Sequence, residues 1–285
     1  MIMNRIKNYT AIYLTKRLLL LLIISLIHLN IYAQYKSSTE IGFLAGASYY
    51  LGDLNTVHFN QSSPALGLAI RQNVDRRFSY KAQALYLMLR SDERESKDSI
   101  ANNRGLHFRS PIYEISGQIE FNFLPYETGN PLYSWTPFVY TGISFFRYNP
   151  QAENIDGQWV NLQELGTEGQ STTIHPDRKK YSLTQMAIPI GGGLKIAVNE
   201  NFNVIMEYGI RKTFTDYIDD VSTTYVDAKP SEWNVNSDNF WFSDPNERDY
   251  PYMKERGDSE EKDWYSYMAV TLSFKLNTNS TKCNY

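Results

Sequence analysis

The chain has 285 residues, 28 Lys and Arg against 31 Asp and Glu, a formal charge of −3, and 14% aromatic residues at a mean hydropathy of only −0.45. A mildly acidic chain lacks the electrostatic footprint of a nucleic-acid binder, so no nucleic-acid partner is expected. The single cysteine, Cys283, excludes an internal disulfide framework, and no stretch beyond the N-terminal segment has the 18 or so consecutive apolar residues of a spanning helix.

Residues 1–33 read as a secretory signal peptide. Arg5, Lys7, Lys16 and Arg17 give a positive leader, Leu18 to Leu29 an apolar run, and Ala33 a small residue at the cleavage point before Gln34. Cleavage between Ala33 and Gln34 removes four positive charges and takes the formal charge from −3 to −7. Gln34, where a bacterial lipoprotein would need Cys, argues for a chain without a lipid anchor.

The rest of the chain is dominated by alternation with period two, the mark of a strand with two unlike faces. Ile41 to Leu51 comes first, with Phe43, Ala45, Ala47 and Tyr49 on one face. Ala65 to Arg71 follows with a weaker alternation. In Phe78 to Tyr86, Phe78, Tyr80 and Tyr86 oppose Ser79, Lys81 and Gln83. Ser110 to Phe123 is the plainest: Tyr113, Ile115, Ile119 and Phe121 on one side, Glu114, Ser116, Gln118, Glu120 and Asn122 on the other. Trp135 to Tyr148 fills the spacing. Met186 to Ile196 opposes Ile188 and Ile190 to Gly191, Gly193 and Lys195. Asn203 to Phe214 opposes Met206 and Tyr208 to Glu207 and Arg211. The last segment sets Met268, Val270, Leu272 and Phe274 against Thr271, Ser273 and Lys275.

Connections between these eight segments alternate strictly in length. Asn73 to Arg77, Pro125 to Ser134 and Val198 to Asn201 are short. Gly52 to Ser63, Ser91 to His107, Asn149 to Lys180 and Thr215 to Asp263 are long. Short inner turns and long outer loops are the pattern of bacterial outer-membrane barrels. The expectation is an all-β chain: an eight-stranded antiparallel transmembrane β-barrel over 34–276, with long extracellular loops and a periplasmic tail at 277–285. A soluble sandwich or lipocalin-like barrel would show the same alternation with its apolar face inward. The signal peptide, the alternating loops and the aromatic-bearing final strand agree on the membrane form, which makes outer-membrane lipids the expected surroundings.

That topology turns Lys81, Glu114, Glu120, Lys195, Glu207, Arg211 and Lys275 into the lumen. Eight strands leave an interior just wide enough for side chains, so these charges are expected to pair with one another, cross-strand partners being favoured for Glu207 and Arg211. The span Asp216 to Asp263 has 14 acidic and 5 basic residues. Asp216, Asp219 and Asp220 match no defined calcium loop, and the aromatics around them suit a packed cap or a docking surface. His58, His107 and His175 fall in three different loops, and no Gly-x-Ser-x-Gly elbow occurs. Gly191 to Gly193 lacks the Gly-Lys-Ser/Thr of a phosphate loop and reads as close strand packing. No catalytic residue, cofactor or metal is expected.

An ordered set of segments carries a family resemblance: Tyr49 to Asn55 (YYLGDLN), Phe108 to Phe123 (FRSPIYEISGQIEFNF), Pro137 to Pro150 (PFVYTGISFFRYNP), Leu165 to Gln170 (LGTEGQ), Ala187 to Lys195 (AIPIGGGLK) and Tyr208 to Val221 (YGIRKTFTDYIDDV). Together they resemble the PorG-like outer-membrane barrels of the type IX protein secretion system of Bacteroidetes. The chain departs from that pattern at Leu85 to Asn103, where a glycine-containing hairpin approach is replaced. The resemblance implies a non-enzymatic part in protein export and gliding, partnered by periplasmic ring proteins. A surface adhesin or receptor, and a lipid-modifying enzyme, are the competing classes.

Overall fold

The computed structural model describes residues 37–172, 175–226, 241–246 and 254–276. The expected signal peptide 1–33 with its expected Ala33–Gln34 junction, the expected tail 277–285, and the loop aromatics Trp233, Phe240, Tyr250 and Tyr252 lie outside the described residues. The strands are β1 (Ser38–Leu51), β2 (Ser63–Asn73), β3 (Phe78–Asp92), β4 (His107–Asn122), β5 (Trp135–Tyr148), β6 (Gln151–Glu153), β7 (Trp159–Asn161), β8 (Thr184–Ala197), β9 (Phe202–Thr213) and β10 (Trp264–Leu276). Two short helices, α1 (Ser99–Arg104) and α2 (Leu162–Leu165), sit in the long loops.

Eight of the strands close into a ring. Each pairs antiparallel with its neighbours in the order β1-β2-β3-β4-β5-β8-β9-β10, and β10 returns to β1 with Thr39 opposite Leu276 and Leu51 opposite Trp264. Closure removes the exposed edges that an open sheet would present. The ladder between β5 and β8 is interrupted at Gly142 and Ile143, facing Pro189, which has no N–H to give. The hairpin β6–β7 lies outside the ring, joined to it at Arg109–Gln151.

The two faces are inverted relative to a soluble barrel. On β4, Glu114, Ser116, Gln118, Glu120 and Asn122 are buried while Tyr113, Ile115 and Ile119 are exposed. Leu66, Leu68 and Ile70 of β2 and Met268, Val270, Leu272 and Phe274 of β10 continue the exposed apolar band. Water would charge roughly 25 cal/mol for each Å² of that band, so it belongs against hydrocarbon. Aromatic pairs thicken one rim: Phe78 with Phe121, and Phe202 with Phe274.

The third strand runs six residues past the expected end at Tyr86. Its lumen-facing positions there are Leu85, Leu87 and Leu89, all buried. Alternation fades because the upper barrel interior is itself apolar, packed with Phe108, Ile112, Phe146, Tyr148 and Tyr265 beneath the loops. His107 opens β4 instead of lying in a loop.

Candidate functional site

The lumen is crossed by paired charges. Arg71 grips Glu120 with two nitrogens, Nε to Oε2 at 2.7 Å and Nη2 to Oε1 at 3.1 Å, and reaches Glu40 at 3.5 Å. Lys195 lies 2.6 Å from Glu120 and also donates to Asn122. Lys81 bridges Glu207 at 2.8 Å and Glu120 at 3.3 Å. Nearer the loops, Arg211 donates to both oxygens of Glu114, with Nη2 at 2.9 Å from Oε1, and Tyr265 donates to the same carboxylate at 2.7 Å. Four carboxylates and four cations are thus paired, every one buried. Rings lie against the cations: Tyr140 on Lys81, Phe138 on Lys195 and Tyr267 on Arg211.

Of the seven expected lumen charges, six fall in this network. Lys275 lies at the short-connection end, half-buried, where its amine donates to the Thr128 carbonyl at 3.0 Å. The charged partners of Glu207 and Arg211 are not on neighbouring strands, although Glu207 also accepts from the Tyr267 hydroxyl on adjacent β10 at 2.6 Å. Lys81 is on β3 and Glu114 on β4, whereas β9 pairs with β8 and β10, so both pairs span the lumen itself. Sequence reading missed Arg71 and Glu40. Within the expected segment Ala65 to Arg71, the other inward residues, Ala65, Gly67 and Ala69, look no more polar than the outward ones; the polar inward Ser63 and Asn73 lie beyond its ends. Glu40 precedes the expected start of β1.

The connection between β4 and β5 folds under the short-connection end. Thr128 donates to Glu40 at 2.8 Å, Tyr126 and Thr128 are buried, and Arg76 pairs with Glu127 at 2.9 Å beneath the ring of Tyr133. The network therefore continues from the barrel wall into the turn that covers that mouth.

At the other end the long loops form a cap. Arg256 donates to Glu168 and to the carbonyl oxygens of Asp220, Phe242 and Ser243. Glu168 also accepts from the backbone N–H groups of Ser222 and Thr223 and from the Tyr217 hydroxyl. Arg104 at the end of α1 pairs with Glu93 and reaches the carbonyls of Asp53 and Arg256. Asp216, Asp219 and Asp220 are buried in this cap rather than displayed as a solvated acidic face. Asp216 accepts from Ser222, Asp219 from Tyr50, and Asp220 from Thr167 and Tyr181. Burial pushes the Asp216 carboxyl up to about 7 and that of Asp220 to about 6 against the pull of Arg256. Among the described residues no three His, Cys, Asp or Glu side chains are placed to hold a metal ion.

Chemically, the arrangement is an interior of neutralised charges and a capped mouth. Its class is defined by the closed ring, the charged lumen and the apolar outer band: a transmembrane β-barrel of eight strands. The chain belongs to the family described as a domain of unknown function (DUF6089), whose model matches residues 16–242. No curated protein matches the chain. Among solved structures, Neisserial surface protein A is similar at a TM-score of 0.40 and 11% identity, covering 85% of this chain and 100% of that one. Ail, the attachment invasion locus protein of Yersinia pestis, is similar at 0.39 and 10%, covering 84% and 97%. The outer membrane protein OprG from Pseudomonas aeruginosa is similar at 0.36 and 10%, covering 84% and 95%.

Proposed function

We propose that this chain is a non-enzymatic barrel of the bacterial outer membrane that serves type IX protein secretion as an anchor or assembly part for the periplasmic ring. The observation that supports this best is the filled lumen. Four ion-paired carboxylates and four cations cross it, and an eight-stranded barrel has no room beyond its own side chains. Such a barrel cannot pass a folded protein, so within an export machine it holds or organises and the pore is another component. The segment resemblance set out above supplies the machine, and the exposed apolar band supports the outer-membrane address.

The docking face in this reading is the short-connection side, Asn73 to Arg77, Pro125 to Ser134 and Val198 to Asn201, with the tail 277–285. Deleting the gene should trap type IX cargo in the periplasm without raising general permeability. Two chimeras locate the surface. Ring proteins should be lost when the short connections are replaced by minimal hairpins and retained when Asp219 to Lys262 is shortened. The reverse pattern would overturn the anchor reading in favour of a surface adhesin or receptor, which the structured acidic cap otherwise favours.

A further inference from the structure

The connection between β1 and β2 differs from the other long loops in charge and in direction. Residues 56–63, Thr-Val-His-Phe-Asn-Gln-Ser-Ser, contain no Asp, Glu, Lys or Arg, although the cap around the same mouth is strongly acidic. Both ends of the loop are fixed. Asn55 donates to the Tyr50 carbonyl at 2.6 Å and accepts from the Asn60 amide at 3.0 Å. Gln61 exchanges two hydrogen bonds with the backbone of Asp92 at the end of β3.

Between those ties the tip folds outward over the barrel wall. Tyr50 and Arg211 point into the interior, so their neighbours Tyr49 and the nearby Tyr208 face out. Tyr49 is nevertheless only 1% exposed, because the loop covers it. The Phe59 ring lies 5.0 Å from Tyr49 and 6.0 Å from Tyr208, His58 Nδ1 is 2.9 Å from the Tyr49 hydroxyl, and the two tyrosine hydroxyls meet at 2.5 Å. Phe59 holds a left-handed backbone (φ 61°) to make these contacts, a conformation unfavourable for a side chain of this kind. What the tip exposes is uncharged and includes two large apolar side chains, Val57 at 59% and Phe59 at 57%, set among the polar Thr56, His58, Asn60 and Ser62. Immediately below them along the wall, Ala47, Met268 and Tyr208 are in register, and Met268 and Met206 belong to the exposed apolar band.

We propose that residues 56–62 are an interfacial foot, with Val57 and Phe59 entering the boundary between headgroups and acyl chains of the outer leaflet. The occupant of this surface is lipid. The tip continues the lipid-facing band without a break, carries no charge, and sets its polar atoms at the level where the amphipathic rings of Tyr49, His58 and Tyr208 meet headgroups. Membrane barrels carry aromatic girdles at this depth, and apolar side chains at such a boundary bind by the area they bury there. The foot fixes the height and tilt of the barrel at one point of its rim and leaves the charged cap free of the membrane. This inference rests on the transmembrane reading of the barrel.

The test uses the mature chain with Cys283→Ser, refolded into phosphatidylcholine vesicles and spin-labelled through one new cysteine at a time. Val57→Cys probes the foot, Ile143→Cys the lipid-facing band, and Asp156→Cys the water-exposed turn between β6 and β7. Folding of each is checked by heat-modifiable migration. Collision with oxygen, which concentrates in lipid, is compared with collision with a water-soluble nickel chelate. The label at 57 should be severalfold better shielded from nickel than the label at 156, and should approach the label at 143. A label at 57 that collides with nickel as freely as that at 156, while 143 stays shielded, overturns the foot. Nickel access at 143 as well overturns the transmembrane reading and the foot with it.

Discussion

Asp219 and Asp263 meet at a single hydroxyl: Tyr50 Oη lies 2.5 Å from Oδ2 of Asp219 and 2.7 Å from Oδ1 of Asp263. A hydroxyl has one proton to donate. Two carboxylates can both hold hydrogen bonds to it only if one of them is itself protonated and donates back. Both are fully buried, and burial, with the charges of Asp263 and Asp53 facing Asp219 and those of Asp216 and Asp53 facing Asp263, raises both carboxyls well above the usual range. The nearby cations are committed elsewhere, Arg104 to Glu93 and Arg256 to Glu168.

The sign of the pH dependence follows. Asp216 near 7 and Asp220 near 6 stand above the ~3.9 of an open chain, as do Asp219 and Asp263 in direction. Between about pH 4 and 7 the closed cap therefore keeps protons that the open cap has released, and its stability falls as pH rises through that window. The Ile218 and Val221 amides, which donate to Asp263 and Asp219, report it. Their exchange protection, corrected for intrinsic rate, should be lower at pH 8 than at pH 5, and Asp263→Asn should flatten the slope. Equal protection at both pH values in the unmodified protein would rule out the shared proton.

Arg211→Met should cost ~3–5 kcal/mol in urea unfolding from lipid vesicles, because it leaves Glu114 charged and buried with only Tyr265 as a donor. Pairing it with Glu114→Leu should recover most of that loss, since a matched apolar pair carries no uncompensated charge. A double variant as unstable as the sum of the two singles would mean zero coupling between the two side chains and would overturn the pairing of Arg211 with Glu114.

Ile119 and Gln118 are adjacent on β4 and point in opposite directions, Ile119 into the apolar band and Gln118 to Gln83 and Ser116 in the lumen. Ile119→Arg should cost ~2–4 kcal/mol and slow refolding into vesicles. Gln118→Arg should be milder, because the lumen offers acceptors. The opposite ranking would exchange the inner and outer faces.

That contrast was legible in the sequence, since Ser110 to Phe123 alternates without a break and each face differs in polarity. So were the order of strands and the alternation of short and long connections. Partner choice was not. Alternation tells which side Arg211 faces, but its bond to Glu114 depends on how the ring closes and brings β9 toward β4, which no local period records. The upper half of β3 was hidden for a different reason: LYLML is apolar on both faces, lipid outside and cap core inside. The burial of Asp216, Asp219 and Asp220 was equally invisible, because an acidic run looks solvated until the hydroxyls of Tyr50, Thr167 and Tyr181 are brought to it from distant parts of the chain.

The glycines give the last prediction, and it separates two kinds of site on the same wall. Gly191 of β8 stands opposite Gly209 of β9 and Tyr140 of β5. The two bare positions form a slot that the Tyr140 ring occupies on its way to Tyr267 and Arg211. A methyl group at 191 would lie 2.5 Å from that ring and 2.4 Å from the Tyr208 carbonyl oxygen, so neither a side-chain shift nor a local adjustment of one strand relieves both. Gly117 of β4 is the counterpart: a methyl group there meets nothing within 4 Å, and Ala should be neutral or add up to ~1 kcal/mol by restricting the unfolded chain. Gly191→Ala should instead cost ~1–3 kcal/mol, the usual penalty for overpacking. Adding Tyr140→Phe should relieve only part of it, because the carbonyl contact stays. Urea unfolding of Gly191→Ala, Gly117→Ala and Gly191→Ala/Tyr140→Phe measures all three. If Gly191→Ala proved as harmless as Gly117→Ala, the ring would not lie in the slot, and the packed interior on which the closed-lumen reading depends would be looser than described.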